Sequence, residues 1–302
     1  MSVRHETLLD MADANVSVII PTYGRPDKLL VSLQRILECK PTPAEIIIHV
    51  DADDNQTASF TRSHFPRVRL IESNERVGPG GARNRLVQAA RCPIVASFDD
   101  DSFPVDADYF GRLRVVFDKF PEAGILLASV FHRGETLAPP AKTFAWVADF
   151  IGCGCAYRRS AFLETSGYLP LPTAYGMEEV DMALRLHVDG KKILGTPWLR
   201  VFHDTQLKHH SLPVVTAASI ANLALLGYLR YPPSLWLTCV GQCLNRILWL
   251  LKHGRWRGII SGIMMIPMHL WKYRRYRLPV PKQAVRSYLA LRRSPLAAKR
   301  LD

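Results

Sequence analysis

Aspartate and glutamate are missing from residues 205–301, a run of 97 positions that holds sixteen lysines and arginines. The formal net charge of +12 therefore belongs to the tail, because residues 1–204 carry 23 basic and 26 acidic side chains, a net of −3. A near-neutral body and a strongly basic tail need different surroundings. This division excludes a protein that reads nucleic acid with its whole surface and puts any polyanion contact in the tail. Cysteine is sparse, with six residues irregularly spaced. That is not a disulfide scaffold, and it suits a reduced compartment. The first fifteen residues, MSVRHETLLDMADAN, lack an apolar h-region, so no secretory signal is expected in them. No GXGXXG occurs, and Gly78, Gly80 and Gly81 do not directly follow the first predicted strand. A dinucleotide fingerprint is thereby excluded, and these glycines are expected to permit a tight loop. What is plentiful is apolar surface: 48% hydrophobic against 22% charged residues excludes bulk disorder.

The apolar residues are ordered. Val16–Ile20 is a short β-branched run stopped by Pro21, the pattern of a buried parallel strand. Residues 27–38 space Leu29, Leu30, Leu33, Ile36 and Leu37 as an amphipathic helix that Asp27 is placed to cap. Pro41 and Pro43 end it, and Glu45–Val50 reads as a second strand. A third is expected at Val68–Ile71, a helix at Gly80–Ala90 and a fourth strand at Ile94–Phe98. Alternation at this spacing predicts an open, mostly parallel α/β sheet, whose ligands sit beyond the carboxyl ends of the strands. The segments at those ends are PTYGRP, DADD and DDDS.

Asp99-Asp100-Asp101 is the sharpest of these features. Three adjacent acids repel one another unless a cation or solvent relieves them. In an extended segment alternate side chains share a side, so Asp99 and Asp101 are expected to converge while Asp100 faces away. Such oxygen ligands suit Mg²⁺ or Mn²⁺ holding a diphosphate; a solvated acidic turn or a helix cap is the plain alternative. In residues 177–188, Met177, Val180, Leu184 and Val188 form a core stripe at helical spacing. Glu178 and Glu179 favour the helix N-terminus electrostatically, and Asp181 stands four residues before Arg185, where an ion pair is expected. A lone histidine at a strand end, such as His203, is by itself a structural hydrogen-bonder. Cys153 and Cys155 form a CXC with no second pair nearby, a poor zinc site.

VSVIIPTYGRP, HVDADD, NERVGPGGARNRLVQAARCPIVASFDDDS, GCGCAYRRSAF, YGMEEVDMALRL and VFHD occur in this order. Together they resemble the family 2 glycosyltransferases of GT-A fold, over roughly residues 15–204. The resemblance implies transfer of a sugar from a nucleoside-diphosphate donor, with inversion and with Mn²⁺ or Mg²⁺. It implies that Pro21, Thr22 and Tyr23 wrap the nucleobase, with Arg25 and Asp100 in the same donor-binding set. Gly24 stands where the family often has Asn. Asp51 matches the acid that pairs with the base, although the Asp-Gly-Ser continuation is absent, which leaves UDP, dTDP and GDP all open. Arg83 and Asn84 match an element facing the nucleotide. Asp99 and Asp101 match the DXD motif, with Asp101 the metal ligand and Asp99 nearer the sugar, and His203 matches a histidine that completes the metal site. Glu179, with Glu178 beside it and Asp181 two residues on, takes the place of the Glu-Asp motif whose second acid deprotonates the acceptor hydroxyl. The small residues around Cys153 are expected to let the backbone pass close to the donor sugar.

The tail contains three apolar stretches, Ser211–Leu229, Leu235–Leu251 and Gly258–Trp271, bordered by Arg, Lys, Trp and Tyr. The first has a length just within transmembrane range, but the composition is that of helices lying in a bilayer interface. The expected organisation is an N-terminal extension (1–14), a glycosyltransferase domain (15–204) and a helical, basic, membrane-associating region (205–302). The chain is expected on the cytoplasmic, inner face of a membrane, bound to anionic lipid and not to nucleic acid. It is expected to act on a glycan or lipid-linked acceptor in cell-surface polysaccharide or glycolipid synthesis. Two alternatives are a sugar nucleotidyltransferase, for which PTYGRP is a poor phosphate loop, and a non-catalytic scaffold, against which the two acidic sets speak.

Overall fold

The computed structural model describes residues 13–171, 177–205 and 212–298. Most of the expected extension, and Ser211, lie outside them. The body begins with the alternation β1 (Val16–Thr22), α1 (Pro26–Leu37), β2 (Glu45–Val50), α2 (Asn55–His64), β3 (Arg69–Glu72), α3 (Gly78–Ala89) and β4 (Ile94–Ser97). β5 (Ser102–Pro104), α4 (Tyr109–Lys119), β6 (Ala123–His132), β7 (Ala145–Val147), β8 (Cys155–Arg158) and α5 (Arg159–Leu163) follow. α6 (Glu178–Val188) and β9 (Lys192–His203) complete it. The tail holds α7 (Pro213–Arg230), α8 (Trp236–Lys252), α9 (Ile259–Tyr273), α10 (Lys282–Arg293) and a short β10 (Leu296–Ala297).

One sheet runs in the order β10-β7-β9-β6-β8-β4-β1-β2-β3, with β5 added to β9. β3, β2, β1 and β4 are mutually parallel, and β6 is parallel to β9, while β8 and β7 run antiparallel to their neighbours. Both faces of the central strands are covered, as a parallel sheet requires. Val16, Val18 and Ile20 enter one core with α1 and α4, whereas Ile19 enters the other with α3 and α6. The predicted strands and helices are all present, with ends shifted by one or two residues.

Two local expectations are corrected. β1 continues through Pro21 to Thr22, because Pro21 faces the side where β4 has already ended, so its missing N–H breaks no ladder. Asp27 does not cap α1; Arg25 occupies that position and Asp27 lies within the first turn. α2 escaped the sequence reading, being short and polar, and is capped by Asp54, whose Oδ1 accepts from Thr57 N at 3.1 Å. The last acid of DADD is thus a helix cap.

The tail is docked onto the body. The buried Arg230 at the end of α7 pairs with the buried Asp181 of α6, Nε to Oδ1 at 2.5 Å. β10 pairs with β7 at the sheet edge, and Arg292 of α10 reaches Asp149 at 2.7 Å. Among the described residues, α7 is the one helix long and apolar enough to cross a membrane by length and composition, yet 67% of it is buried. It forms the centre of the tail, between α8 and α9.

The close approach of α9 to α7 rests on Gly262, where a Cβ would fall 2.8 Å from the Ala217 carbonyl oxygen and 2.9 Å from Ala217 Cα. Gly262→Val is expected to destabilise the protein by about 1–3 kcal/mol, as over-packing does. Gly241→Ala on α8, whose Cβ would meet nothing within 4 Å, is expected to raise stability by roughly 0.5–1 kcal/mol. Thermal unfolding of both variants checks the packing; equal midpoints would contradict it.

Candidate active site

The carboxyl ends of β1, β2 and β4 and the start of α3 enclose a cleft of about 380 Å³. Pro21, Thr22, Tyr23, Arg25, Asp51, Asp99 and Asp100 line it, seven of the residues expected to face a nucleotide. Arg76 lines it too, its guanidinium 4.1 Å above the centre of the exposed Tyr23 ring. Nothing in the sequence marked Arg76, because only the fold brings the loop after β3 over the one after β1. Asp51 accepts hydrogen bonds from Val77 N (3.0 Å), Gly78 N (3.1 Å) and Ser73 Oγ (3.1 Å). Burial alone would raise its pKa, but these donors hold it below the usual range. Asp51 therefore fixes the start of α3 as well as lining the cleft.

Asp99-Asp100-Asp101 is a turn. Ser102 N donates to the Asp99 carbonyl at 3.0 Å, and Asp99 N to Ser102 Oγ at 2.7 Å. Alternate side chains consequently do not converge as they would in an extended strand: Asp99 goes to Arg83, whereas the neighbours Asp100 and Asp101 share Arg25. Asp99 pairs with Arg83. Asp100 is fully buried, accepts from Thr22 Oγ1 at 2.8 Å and lies 2.5 Å from Arg25 Nη2. Burial raises its pKa to about 7, against the attraction of Arg25. Asp101 meets Arg25 Nη1 at 2.9 Å and His203 Nε2 at 3.1 Å. β9 delivers His203 to this edge by pairing with β5 and β6.

Ligand-capable atoms of Asp99, Cys153 and His203 lie within 4.8 Å of one another. Cys153 Sγ stands 3.6 Å from His203 Nδ1, a neighbour the sequence reading did not assign to this cluster. Its thiol is held protonated, since burial pushes it well above its ordinary range. Within this cluster the Asp99 carboxylate and the His203 imidazole are oxygen and nitrogen donors of the kind that fit Mn²⁺ or Mg²⁺ better than a protonated thiol does, and Asp101 adjoins it through its contact with His203 Nε2.

The acids of α6 approach the same edge from the opposite face. Arg83 is 2% exposed and donates from Nε to Ser97 Oγ at 3.0 Å. Its guanidinium and Glu179 Oε1 both crowd against Gly152: a Cβ there would fall 2.8 Å from Arg83 Cζ and 3.0 Å from Glu179 Oε1. Gly152 N also points at Glu179 Oε1, at 3.3 Å. The glycine thus admits two side chains of the site. Glu178 is buried, and its Oε2 has no hydrogen-bond partner among the described residues. Burial raises the pKa of both glutamates, Glu178 the more; Glu179 adds its repulsion at Glu178, while Arg83 opposes the shift at each.

Two expected members of the site point elsewhere. Asn84 spends its amide on the backbone of Tyr168, giving Nδ2–H to the carbonyl at 2.9 Å and accepting from the N–H at 2.8 Å. Asp181 is fully buried between Arg185 (3.0 Å) and Arg230. The anticipated Asp181–Arg185 pair is present, with a second arginine from the tail that spacing had no means of showing.

Residues 17–165 match the family described as Glycosyl transferase family 2. The succinoglycan biosynthesis protein ExoO of Rhizobium meliloti is 29% identical over 115 residues, 38% of this chain and 32% of that protein. Glycosyltransferase AglD of Haloferax volcanii is 29% identical over 106 residues, 32% of this chain and 17% of that protein. The matched stretches thus span a third or less of these curated relatives. Among solved structures, the mannosyltransferase PcManGT of Pyrobaculum calidifontis, in complex with GDP-Man and Mn²⁺, superposes with a TM-score of 0.57 at 15% identity, covering 93% of this chain and 89% of that one. The fold is therefore that of the GT-A glycosyltransferases.

The raised glutamate pair makes stability depend on pH. A carboxyl whose folded pKa lies above its unfolded value contributes fully below the unfolded value, near 4.5, and loses that contribution as pH rises through the folded one. Glu178→Gln is therefore expected to unfold at a higher temperature than the unaltered protein at about pH 7.5. The gap should close toward about pH 4.5, each unit of displacement being worth roughly 1.4 kcal/mol. A gap of the same size at both pH values would contradict this.

Proposed function

We propose that this chain, which carries a family 2 glycosyltransferase domain over residues 17–165, moves a sugar from a nucleoside-diphosphate donor to an acceptor hydroxyl, with inversion and with a divalent metal. The observation that carries the reading is one edge of the sheet where the buried Arg83 pairs with Asp99 and packs beside Glu179, while Asp99 lies within 4.8 Å of His203, itself in contact with Asp101. We assign residues 15–204 to catalysis and residues 205–302 to attachment on the inner, cytoplasmic face of a membrane. A role in polysaccharide or glycolipid synthesis is supported by the relative from succinoglycan biosynthesis.

Pro21, Thr22, Tyr23 and Arg76 form the walls for the nucleobase and ribose, and Asp51 faces the base ring. Asp99, Asp101 and His203 would hold Mn²⁺ or Mg²⁺, which offsets negative charge on a departing diphosphate when bound. Arg25 and Arg83 supply fixed positive charge on either side of that position. Glu179 takes the proton of the acceptor hydroxyl, whose oxygen attacks the anomeric carbon as the bond to the diphosphate breaks on the opposite face. A single displacement of this kind inverts the configuration. The raised pKa of Glu179 suits a general base, because a stronger conjugate base removes the proton more readily.

The tail supports membrane attachment. α8 and α9 turn apolar side chains outward, among them Leu237 (88% exposed), Ile260 and Met268 (each 75%) and Trp271. Arg274, Arg275 and Arg277 follow directly. Apolar side chains that enter the acyl boundary beside arginines that meet anionic headgroups make an interfacial surface.

Glu179→Gln is expected to lower transfer by about 10²–10⁴-fold while nucleotide-sugar binding, read by thermal shift with Mn²⁺, survives; unchanged turnover would remove the assignment. The acidic limb of the rate profile in the unaltered enzyme should lie above the ordinary glutamate range. The full chain is also expected to sediment with anionic liposomes at low salt and to be released as salt rises, and Leu237→Asp with Ile260→Asp should leave it in the supernatant. Equal recovery with and without liposomes would refute attachment.

A further inference from the structure

The turn before β8 puts Cys153 where three segments distant in sequence meet. An oxygen of Asp99, the sulfur of Cys153 and a nitrogen of His203 all lie within 4.8 Å of one another. Cys153 Sγ and His203 Nδ1 are 3.6 Å apart. Two ligands bound to one zinc ion at about 2.3 Å (sulfur) and about 2.0–2.1 Å (nitrogen), in tetrahedral geometry, stand about 3.6 Å apart. That pair is therefore already spaced for zinc. Asp99, whose side chain is the most exposed of the three, can close the remaining distance by rotating. It also lines the nucleotide cleft, which gives an ion a way in. The other nitrogen of His203 is held from outside the cluster. Nε2 lies 3.1 Å from Asp101 Oδ1, and because an ionised carboxylate only accepts, Nε2 carries the proton. In the neutral ring the lone pair then sits on Nδ1, on the side of Cys153. A carboxylate that orients a histidine through its second nitrogen is the usual outer partner of a zinc ligand.

We propose that Asp99, Cys153 and His203 form a three-ligand zinc site, open at its fourth position, which competes with the Mn²⁺ or Mg²⁺ of the transferase. The competition rests on the glycosyltransferase reading; the zinc site itself does not. Asp99 and His203 belong to both sets, so the two ions exclude each other, and zinc removes the metal that a donor diphosphate needs. Cys153 decides between them, since thiolate sulfur selects zinc whereas carboxylate oxygen suits Mg²⁺ and Mn²⁺. As zinc enters, the thiol gives its proton to solvent and the electron pair left on sulfur forms the Zn–S bond, with no change of oxidation state. One thiolate and one carboxylate then balance the charge of the ion. Cys155 takes no part: its Sγ faces Tyr157 Oη at 3.2 Å and the Gly152 carbonyl at 3.7 Å. The zinc ligands thus come from three segments and not from the CXC pair.

The test uses the full chain, freed of metal by chelation, with Co²⁺ as a spectroscopic substitute for Zn²⁺. Co²⁺ is expected to give a strong near-ultraviolet thiolate-to-cobalt absorption that Zn²⁺ abolishes. Cys153→Ser and His203→Gln should each lose it, Cys155→Ser should keep it, and Cys153→Ser should weaken zinc in calorimetry by about tenfold or more. Thermal unfolding without metal checks that each variant folds. Zn²⁺ added to the Mn²⁺-loaded chain should release Mn²⁺, read as growth of its free-ion paramagnetic resonance signal. No cobalt absorption in the unaltered chain, or the same absorption in folded Cys153→Ser, would overturn the zinc site. Should Cys153→Ser fail to fold, an absorption retained by His203→Gln would overturn it. Mn²⁺ that stays bound beside Zn²⁺ would overturn the competition alone. Donor binding with Mn²⁺ is followed on the same samples by thermal shift, and its absence in the unaltered chain would remove the glycosyltransferase reading while leaving the zinc site in place.

Discussion

Arg83 holds the candidate site together. Five carboxylates, those of Asp99, Asp100, Asp101, Glu178 and Glu179, meet at one end of the sheet, and a group of like charges at partial burial separates or protonates unless cations stand among them. Arg25 serves the Asp100–Asp101 side from the loop after β1. Arg83 serves the other, ion-paired to Asp99 and packed beside Glu179. Its own burial is tolerated only because those acids surround it and raise its pKa against the desolvation that would lower it. Its position follows from two further constraints. Asp51 pins the amides of Val77 and Gly78 and so sets where α3 begins. Gly152 has no side chain to push the guanidinium aside.

The second constraint is the buried pairing of Asp181 with Arg185 and Arg230. Such a group adds little net stability relative to an apolar replacement, because the desolvation of three charges offsets most of their attraction. Its effect is positional, since removing one partner leaves an uncompensated charge in the interior. Any slide of α7 along α6 would do the same. α7 is therefore registered against the helix whose first turn bears Glu178 and Glu179, and α8 and α9 are registered against α7 by close packing at Gly227 and Gly262.

Periodicity gave the early strands and helices because both faces of the parallel sheet are buried, so each strand is written as an unbroken apolar run and each helix as a stripe. α2 was missed because it buries only Thr57, Ala58 and Thr61 and carries no such stripe. The edge of the sheet was legible for the same topological reason: PTYGRP, DADD and DDDS stand at the ends of parallel strands. The partners of individual acids were not. Asp99, Asp100 and Asp101 were read as extended, but the chain turns there, and the direction of each side chain depends on Ser102, Thr22 and Arg25, two of which are distant in sequence. Asn84 is the opposite case: its motif position implies a place facing the nucleotide, while in the fold its amide pairs with the Tyr168 backbone. Arg76 was not placed in the site, and Cys153 was not placed beside His203, because their neighbours come from other segments.

The two halves of the proposed reaction are thus built from different kinds of structure. The donor side is made by strand ends, where chain order and spatial order coincide and a local motif carries much of the chemistry. The proposed base stands on the first turn of α6, against which the tail packs at a junction between segments some fifty residues apart, as in Asp181 and Arg230. The same helix that presents Glu179 to the donor edge is fixed, through Asp181, to the helices whose outer faces are apolar and basic. If the tail attaches to a membrane as proposed, attachment and the placement of the proposed base are linked through the α6–α7 junction, and the basic charge stands on the side of the chain that would meet the lipid.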